Sequence, residues 1–211
     1  MVVPAFVAGS ALALGGLRHD KAAVTAVGAV LLAVSALMLN FFRDFDRKVP
    51  PGAGPKSVVS PADGLVTRVE VVDEPMHLKA PCLQVAIFMN PLDNHVQRVP
   101  FDGKVLAKDY YPGEYLAAYK DKADLVNEQC HVTVELSSPG KGRMVLKQIA
   151  GFLCHRVKTD VAAGDVLTRG MRFGRILLGS RVDVFLPENF KPSVKVGDRV
   201  KAGETVLGEL P

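Results

Sequence analysis

The 211-residue chain has no tryptophan, only three cysteines and no run of five or more basic residues. Aromatic residues make up 7%, so a folded core must consist mainly of Val, Leu, Ile and Ala side chains. The cysteines are far apart and form no C-x-x-C pair, so the sequence indicates neither a disulfide framework nor a zinc site and favours reduced thiols in a cytosolic setting. The net charge of +4 comes from scattered residues, which argues against a nucleic-acid partner and suits an anionic membrane surface.

Two apolar runs, residues 2–17 and 22–42, begin the chain and are separated only by the polar residues 18–21. The second run would be about 31 Å long as a helix, enough to cross the hydrocarbon core of a bilayer. A cleaved signal peptide fits poorly, because no positive charge precedes the first run. We therefore expect residues 1–43 to form a membrane-associated helical hairpin, which either spans the membrane or dips into it.

Residues 44–56 are predicted to be a linker, because they contain the Pro- and Gly-rich segment 50–55. Arg43, Arg47 and Lys48 follow the second apolar run. By the positive-inside rule, these basic residues place the remainder of the chain on the cytoplasmic side of the cell membrane.

Residues 57–211 contain short apolar runs separated by Gly, Pro and Asp turns. Four of the runs predict β-strands, at 65–69, 83–89, 132–136 and 144–149. Residues 112–126 form the one plausible helix of this part. Short strands with frequent turns are typical of sandwiches and barrels, so we expect a mainly β, barrel-sandwich-like domain with one short helix.

An internal repeat supports this fold class, since residues 164–170 and 197–203 share the pattern G-D-x-[L/V]-x-x-G. Similar turns recur in barrel-sandwich domains, including biotinyl and lipoyl carriers. Two unrelated β-turns would give the same pattern, and the sequence leaves that alternative open. Lipoylation of Lys122, which lies in a D-K-A triplet, is not expected because that triplet does not closely follow a G-D turn.

Three polar clusters hold the candidate catalytic residues. Asp63 lies in the turn S-P-A-D-G, where an Asp often caps its own backbone. His95 follows an apolar strand; a His there can act as a general base near neutral pH, although a lone His is more often structural. Gly179-Ser180 interrupts an apolar strand, where a Gly often marks close backbone approach or strain.

Taken in order, these clusters resemble the phosphatidylserine decarboxylases, specifically the short membrane-associated form. The resemblance runs from about Phe41 to Pro211 and is most specific between residues 164 and 187. Residues 148–151 and the Asp93-x-His95 segment match as well. Many family members have Thr after the cleavage-site Ser, whereas Arg181 stands here, as in the short forms.

The resemblance implies self-cleavage between Gly179 and Ser180, giving a large chain, 1–179, and a small chain, 180–211, that stay associated. Ser180 would attack the Gly179 carbonyl and become a covalent pyruvoyl group, the cofactor that forms a Schiff base with the amine of phosphatidylserine in the bilayer. His95 would be the base and Asp63 its orienting partner. No metal is required, and none is predicted from the sequence.

Several alternatives stay open. Several members carry a second His where this chain has Arg98, so whether His95 serves both cleavage and decarboxylation stays open. Arg98 and Arg181 either bind the lipid phosphate or form ion pairs. The lipid is either phosphatidylserine or an ether-linked archaeal serine lipid, archaetidylserine. A non-enzymatic, membrane-anchored barrel-sandwich adaptor is the competing class, although the heptad-patterned hairpin usual in such adaptors is missing. The sequence does not decide whether the chain forms a homo-oligomer.

Overall fold

The computed structural model describes residues 2–118, 123–152, 156–176 and 180–211, without the side chains of Val2 and Val3. The elements are α1 (Val2–Arg18), α2 (Ala22–Phe41), β1 (Ser57–Val59), β2 (Gly64–Glu74), β3 (Ala80–Met89), β4 (Val96–Arg98), β5 (Gly103–Tyr111), α3 (Ala123–Val126), β6 (Gln129–Leu136), β7 (Arg143–Ile149), β8 (Val157–Thr159), β9 (Val166–Leu167), β10 (Arg172–Ile176), β11 (Ser180–Pro187), β12 (Lys191–Pro192), β13 (Arg199–Val200) and β14 (Val206–Glu209). Contacts divide the chain into two units, Met1–Asp44 and Phe45–Pro211.

The first unit is a pair of apolar helices, as predicted. Small residues let α1 and α2 approach closely: a Cβ on Gly28 would lie 2.3 Å from the backbone nitrogen of Ala13. Within the described part of the chain, α2 is the one helix long and apolar enough to cross a membrane. Its outward side chains are mostly apolar, which suits lipid as the surrounding medium.

The second unit is mainly β, which confirms the predicted fold class. Eight antiparallel strands form a sheet that curls into a half-barrel, in the order β13-β2-β3-β11-β7-β6-β5-β9. Two small sheets, β1-β14-β12 and β4-β10-β8, complete the unit. All four predicted strands are present, within β2, β3, β6 and β7. Alternate side chains of β3, β6, β7 and β11 fill one core, which includes Ile87, Val132, Leu146, Val182 and Val184.

The two G-D turns are true structural equivalents, which excludes the alternative of two unrelated turns. Gly164 and Gly197 both have φ of +96°, a conformation that favours glycine. The Gly164 N–H donates to the Val105 carbonyl oxygen at 2.8 Å, and the Gly197 N–H donates to that of Val66 at 2.9 Å. Each turn therefore closes on the strand that follows a P-x-D-G segment, 61–64 or 100–103.

The two P-x-D-G segments also bind one another's strands in a reciprocal way. The Val59 N–H donates to the Pro100 carbonyl oxygen at 3.0 Å, and the Arg98 N–H donates to that of Pro61 at 2.8 Å. The unit thus contains two similar halves. We call residues 60–66 with 197–203 the first repeat, and residues 99–105 with 164–170 the second repeat.

The helix predicted over 112–126 is wrong over its first part. Residues 112–118 contain no helix and α3 covers only Ala123–Val126, while residues 119–122 lie outside the described part of the chain. The Glu114 N–H instead donates to the Val126 carbonyl oxygen at 2.7 Å. A Cβ on Gly113 would lie 2.3 Å from that same oxygen, so the segment runs alongside α3 rather than winding into it.

Candidate active site

Ser180 is the first residue of β11, in the middle of the large sheet. It pairs with Met89 of β3, and the next residue, Arg181, pairs with Ile149 of β7. Ser180 is fully buried, and its hydroxyl has no hydrogen-bond partner among the described residues. An unpaired buried hydroxyl costs about 1–3 kcal/mol, so it needs a reason to be there, and a reactive role is one. Gly179, the other side of the predicted scissile bond, lies outside the described residues.

His95 is brought back toward β11 by a turn after β3. The Asp93 N–H donates to the Asn90 carbonyl oxygen at 3.0 Å, and the Asn90 N–H donates to an Asp93 carboxylate oxygen at 2.9 Å. Nδ1 of His95 lies 2.9 Å from the Asp93 carbonyl oxygen. A carbonyl oxygen only accepts, so Nδ1 carries the proton in the neutral ring and Nε2 keeps its lone pair. Nε2 is therefore the nitrogen that can accept a proton.

His95 and Ser180 lie at the same corner of the β unit. The Ile176 N–H donates to the His95 carbonyl oxygen at 3.4 Å, and β10 pairs with β4 through Arg175 and Val96. Ile176 and Ser180 are four residues apart, a distance of at most about 14 Å along an extended chain. The corner thus holds the backbone of His95 beside the end of β10, four residues before Ser180.

Asp63, the third predicted catalytic residue, is buried and accepts hydrogen bonds from Arg47 and from the Ala202 backbone. One carboxylate oxygen accepts the Ala202 N–H at 2.7 Å. Both oxygens bind the Arg47 guanidinium, with Nη2 of Arg47 2.8 Å from Oδ2. Among the described residues these are the partners of Asp63, and a hydrogen bond to His95 is not one of them. The Asp93 backbone, rather than Asp63, orients the imidazole in this structure.

The sequence assigns Arg47 to a linker, as one of the basic residues that favour the cytoplasmic side, and predicts no part for it in a site. Its side chain is only 9% exposed. Besides Asp63, it contacts the Ala202 carbonyl oxygen at 3.3 Å and Glu204 at 3.7 Å, and it lies over the ring of Phe45. A basic residue beside a Pro- and Gly-rich segment gives no sign of a partner so far along the chain.

Arg98 and Arg181, the candidate ligands for a lipid phosphate, both hold the protein's own groups. Arg98 donates to the backbone oxygens of Gly170 at 2.8 Å and Phe45 at 2.6 Å. Arg181 donates twice to Asp183, at 2.7 and 2.6 Å, and to Asp124 at 2.9 Å. Desolvation, the largest influence, lowers the pKa of Arg181, but the two carboxylates outweigh it and raise the pKa above its ordinary value.

A chain of buried amides supports the same corner from the core side. Gln97 donates to the His95 carbonyl oxygen at 2.9 Å, and Gln148 donates to the Gln97 side-chain oxygen at 2.9 Å. The Thr159 hydroxyl then donates to Gln148 at 2.5 Å. These hydrogen bonds give a physical role to Gln148, which the sequence identifies only as part of the segment 148–151 that resembles the family. Within the described ranges, no group of three or more His, Cys, Asp or Glu side chains could hold a metal ion.

Comparison with known proteins identifies the family. The family model described as phosphatidylserine decarboxylase matches residues 34–208. Three similar proteins carry the description phosphatidylserine decarboxylase proenzyme. The protein from Syntrophus aciditrophicus is 47% identical over 80% of this chain and 77% of its own length. Those from Nitratidesulfovibrio vulgaris and Symbiobacterium thermophilum are 44% and 43% identical, over 86% and 88% of this chain and 83% and 85% of their own lengths. The chain belongs to the phosphatidylserine decarboxylase family of carboxy-lyases.

Proposed function

We propose that this chain decarboxylates phosphatidylserine to phosphatidylethanolamine, with a pyruvoyl group that it makes from Ser180 by cutting its own backbone after Gly179. The observation that carries the proposal is the buried, unpaired hydroxyl of Ser180 at the head of β11, at one corner with His95. Family membership and the description proenzyme of the relatives support a processed precursor.

The residues present fit a group formed at position 180. Ser180 is the source of the atoms, and its surroundings are closed to solvent. When bound, a pyruvoyl group supplies a carbonyl that takes up the electrons left as the substrate loses CO2. The protein's task is to hold this position fixed, to exclude water and to move protons to and from the reacting atoms.

Self-cleavage begins with attack of the Ser180 hydroxyl oxygen on the Gly179 carbonyl carbon. Nε2 of His95 takes the hydroxyl proton and returns it to the departing backbone nitrogen, so the amide becomes an ester. Removal of the Cα proton of residue 180 then breaks the Cβ–O bond, and Gly179 leaves as a carboxylate. Water then displaces the nitrogen of the resulting dehydroalanine, and that nitrogen leaves as ammonia.

We propose that His95 accepts and donates these protons and later protonates the product carbon. Its Nδ1–H bond to the Asp93 carbonyl holds the tautomer that leaves Nε2 basic. Asp63 would supply a fixed negative charge that stabilises the imidazolium when it forms. Of these roles, that of Asp63 requires the carboxylate to be held in a fixed position.

The two chains, 1–179 and 180–211, should stay associated after the cut. The small chain supplies β11, which lies between β3 and β7 in the large sheet, and β14, which pairs with β1. Its buried side chains Val184, Leu186 and Leu207 belong to the common core. A piece of this size cannot bury a core alone, so separation would expose apolar surface on both chains.

The membrane role of residues 1–43 also stays a proposal. α2 is long and apolar enough to hold the protein at a bilayer, where a lipid substrate resides. The basic residues that follow α2 favour the cytoplasmic side of the cell membrane. Such attachment would keep the site near a substrate that does not leave the lipid phase.

The substrate is tested with purified protein in vesicles that contain either phosphatidylserine or the ether-linked serine lipid, with release of CO2 and lipid product measured by mass spectrometry. We expect turnover of phosphatidylserine by wild type and none by Ser180→Ala. Turnover of the ether-linked lipid alone would assign archaetidylserine, not phosphatidylserine, as the substrate. No turnover of either lipid by a folded wild-type protein would contradict the proposal and favour the non-enzymatic adaptor.

A further inference from the structure

The contact between Arg47 and Asp63 is chemically specific. The planar guanidinium meets the carboxylate through two nitrogens, the geometry that gives the strongest hydrogen bonds of this kind. A carboxylate has about four lone-pair positions. Arg47 occupies two of them and the Ala202 N–H a third. One position remains for a further donor, so the pair holds Asp63 without saturating it.

The fold does not need this contact, as the second repeat shows. Asp102 is the counterpart of Asp63, and its carboxylate accepts the Arg169 N–H at 2.6 Å, just as Asp63 accepts that of Ala202. Within the described part of the chain, no cation binds the Asp102 carboxylate. The guanidinium of Arg169 turns away to the backbone oxygens of Gly54 and Ser57. A turn of this kind thus forms with one N–H contact alone.

We propose that Arg47 is a positioning residue for the reaction at Ser180, acting through Asp63. It fixes the plane of the Asp63 carboxylate, and with it the position of the negative charge that stabilises the His95 imidazolium. The inference rests on the proposed function, because it gives Asp63 a part in that chemistry. Within the described residues Arg47 contacts Asp63, Ala202, Glu204 and the ring of Phe45, so its effect on the reaction would pass through Asp63. The competing role is a purely structural tie between residue 47 and the β unit.

The test is the time course of self-cleavage in freshly synthesised full-length protein, followed by intact mass. We compare Arg47→Ala and Arg47→Lys with Glu204→Gln, which removes the other, half-exposed carboxylate near Arg47. We expect Arg47→Ala to slow cleavage about ten- to a hundred-fold, the scale of a lost charge-assisted pair. Arg47→Lys should restore part of the rate. Millimolar guanidinium chloride, far below denaturing levels, should restore part of the rate of Arg47→Ala, and Glu204→Gln should cleave normally.

A positioning role predicts rescue by guanidinium with an unchanged melting temperature, which a structural tie does not. The inference is overturned if Arg47→Ala cleaves at the wild-type rate. It is also overturned if the variant is slow, melts lower and responds to neither lysine nor guanidinium. Failure of the wild type to cleave would instead contradict the proposed function, so the two failures are distinguishable.

Discussion

The two repeats of the β unit have the same backbone and different side-chain chemistry. Both present an Asp whose carboxylate accepts one N–H of the facing G-D turn, from Ala202 to Asp63 and from Arg169 to Asp102. Of these two Asp residues, Asp63 alone also binds a guanidinium within the described part of the chain, that of Arg47. The N–H contact that both Asp residues share is therefore part of the repeated fold. The contact with Arg47, which Asp63 alone of the two makes, points to function.

The two halves also differ in side-chain chemistry where the central strands β11 and β7 begin. β11 begins with Ser180 and Arg181, and β7 is entered through Gly142 and Arg143 in the equivalent register. Ser180 is buried with an unpaired hydroxyl. Gly142, with φ of +88°, closes a tight turn, and its carbonyl oxygen accepts the Leu136 N–H at 3.0 Å. Each half thus provides an internal control for the other.

The largest expected effect compares Asp63→Asn with Asp102→Asn. Both variants keep an oxygen for the N–H of the facing turn, so the architecture should survive in each. We expect Asp63→Asn to slow self-cleavage about 10²- to 10⁴-fold, the range for losing an acid–base partner, and Asp102→Asn to leave the rate nearly unchanged. Cleavage is measured by intact mass over time. Equal rates in the two variants would make Asp63 architectural.

The next comparison concerns stability and uses Arg181→Met and Arg143→Met. Arg181 is buried with Asp183, and removing it leaves that buried carboxylate without its guanidinium partner and with the Gln84 amide as a neutral donor, at a cost of about 3–5 kcal/mol. Arg143 is exposed, so its loss should cost less than about 0.5 kcal/mol. Urea unfolding in detergent, with Ser180→Ala as the common background, keeps the chain intact. Similar losses would show that the buried network contributes little.

The smallest expected effect is a pH dependence of stability that arises from His131, in the half of the β unit that contains the second repeat. His131 and Gln84 hold equivalent positions, opposite Asp109 and Glu70. Desolvation, with smaller contributions from Lys147 and His77, lowers the pKa of His131 to about 3. The unfolded chain binds that proton near the ordinary pKa of about 6.5, so stability should fall as the pH drops below that value, by up to about 1.4 kcal/mol per pH unit.

Replacing His131 by Gln, the residue of the other half, should flatten this dependence. Urea unfolding at pH 7.5, 6.0 and 5.0 measures it, again in the Ser180→Ala background. The neutral ring is well accommodated, since its nitrogens lie 2.7 Å from Nε2 of His77 and 3.0 Å from the Gln129 side-chain oxygen. An unchanged slope in the variant would assign the acid sensitivity to other groups.

The sequence predicted those features that depend on local pattern. Apolar runs located β2, β3, β6 and β7, and the G-D spacing located both turns. The helix over 112–126 was predicted because nothing local shows that Gly113 lies against the backbone of Val126. The P-x-D-G repeat was visible in the sequence and was missed, although it would have shown Asp102 as a counterpart of Asp63.

The long-range contacts of the candidate site could not be predicted in this way. Arg47 binds Asp63 because the tertiary fold places residue 47 against the first repeat. No local sequence pattern predicts that contact. The orientation of His95 by the Asp93 carbonyl likewise depends on a turn whose geometry is set by side-chain to backbone bonds. Residue types identified the candidates, and tertiary structure gave each its partners.

The most direct test of the central claim is the chemical nature of residue 180 in the purified protein. After denaturation, the protein is treated with a carbonyl-reactive hydrazide, and the fragments are sequenced by mass spectrometry. We predict a small chain, 180–211, that has no free amino terminus and carries one hydrazide at its first residue. A small chain beginning with an ordinary serine amine, or a folded chain that stays whole, would contradict self-cleavage through Ser180.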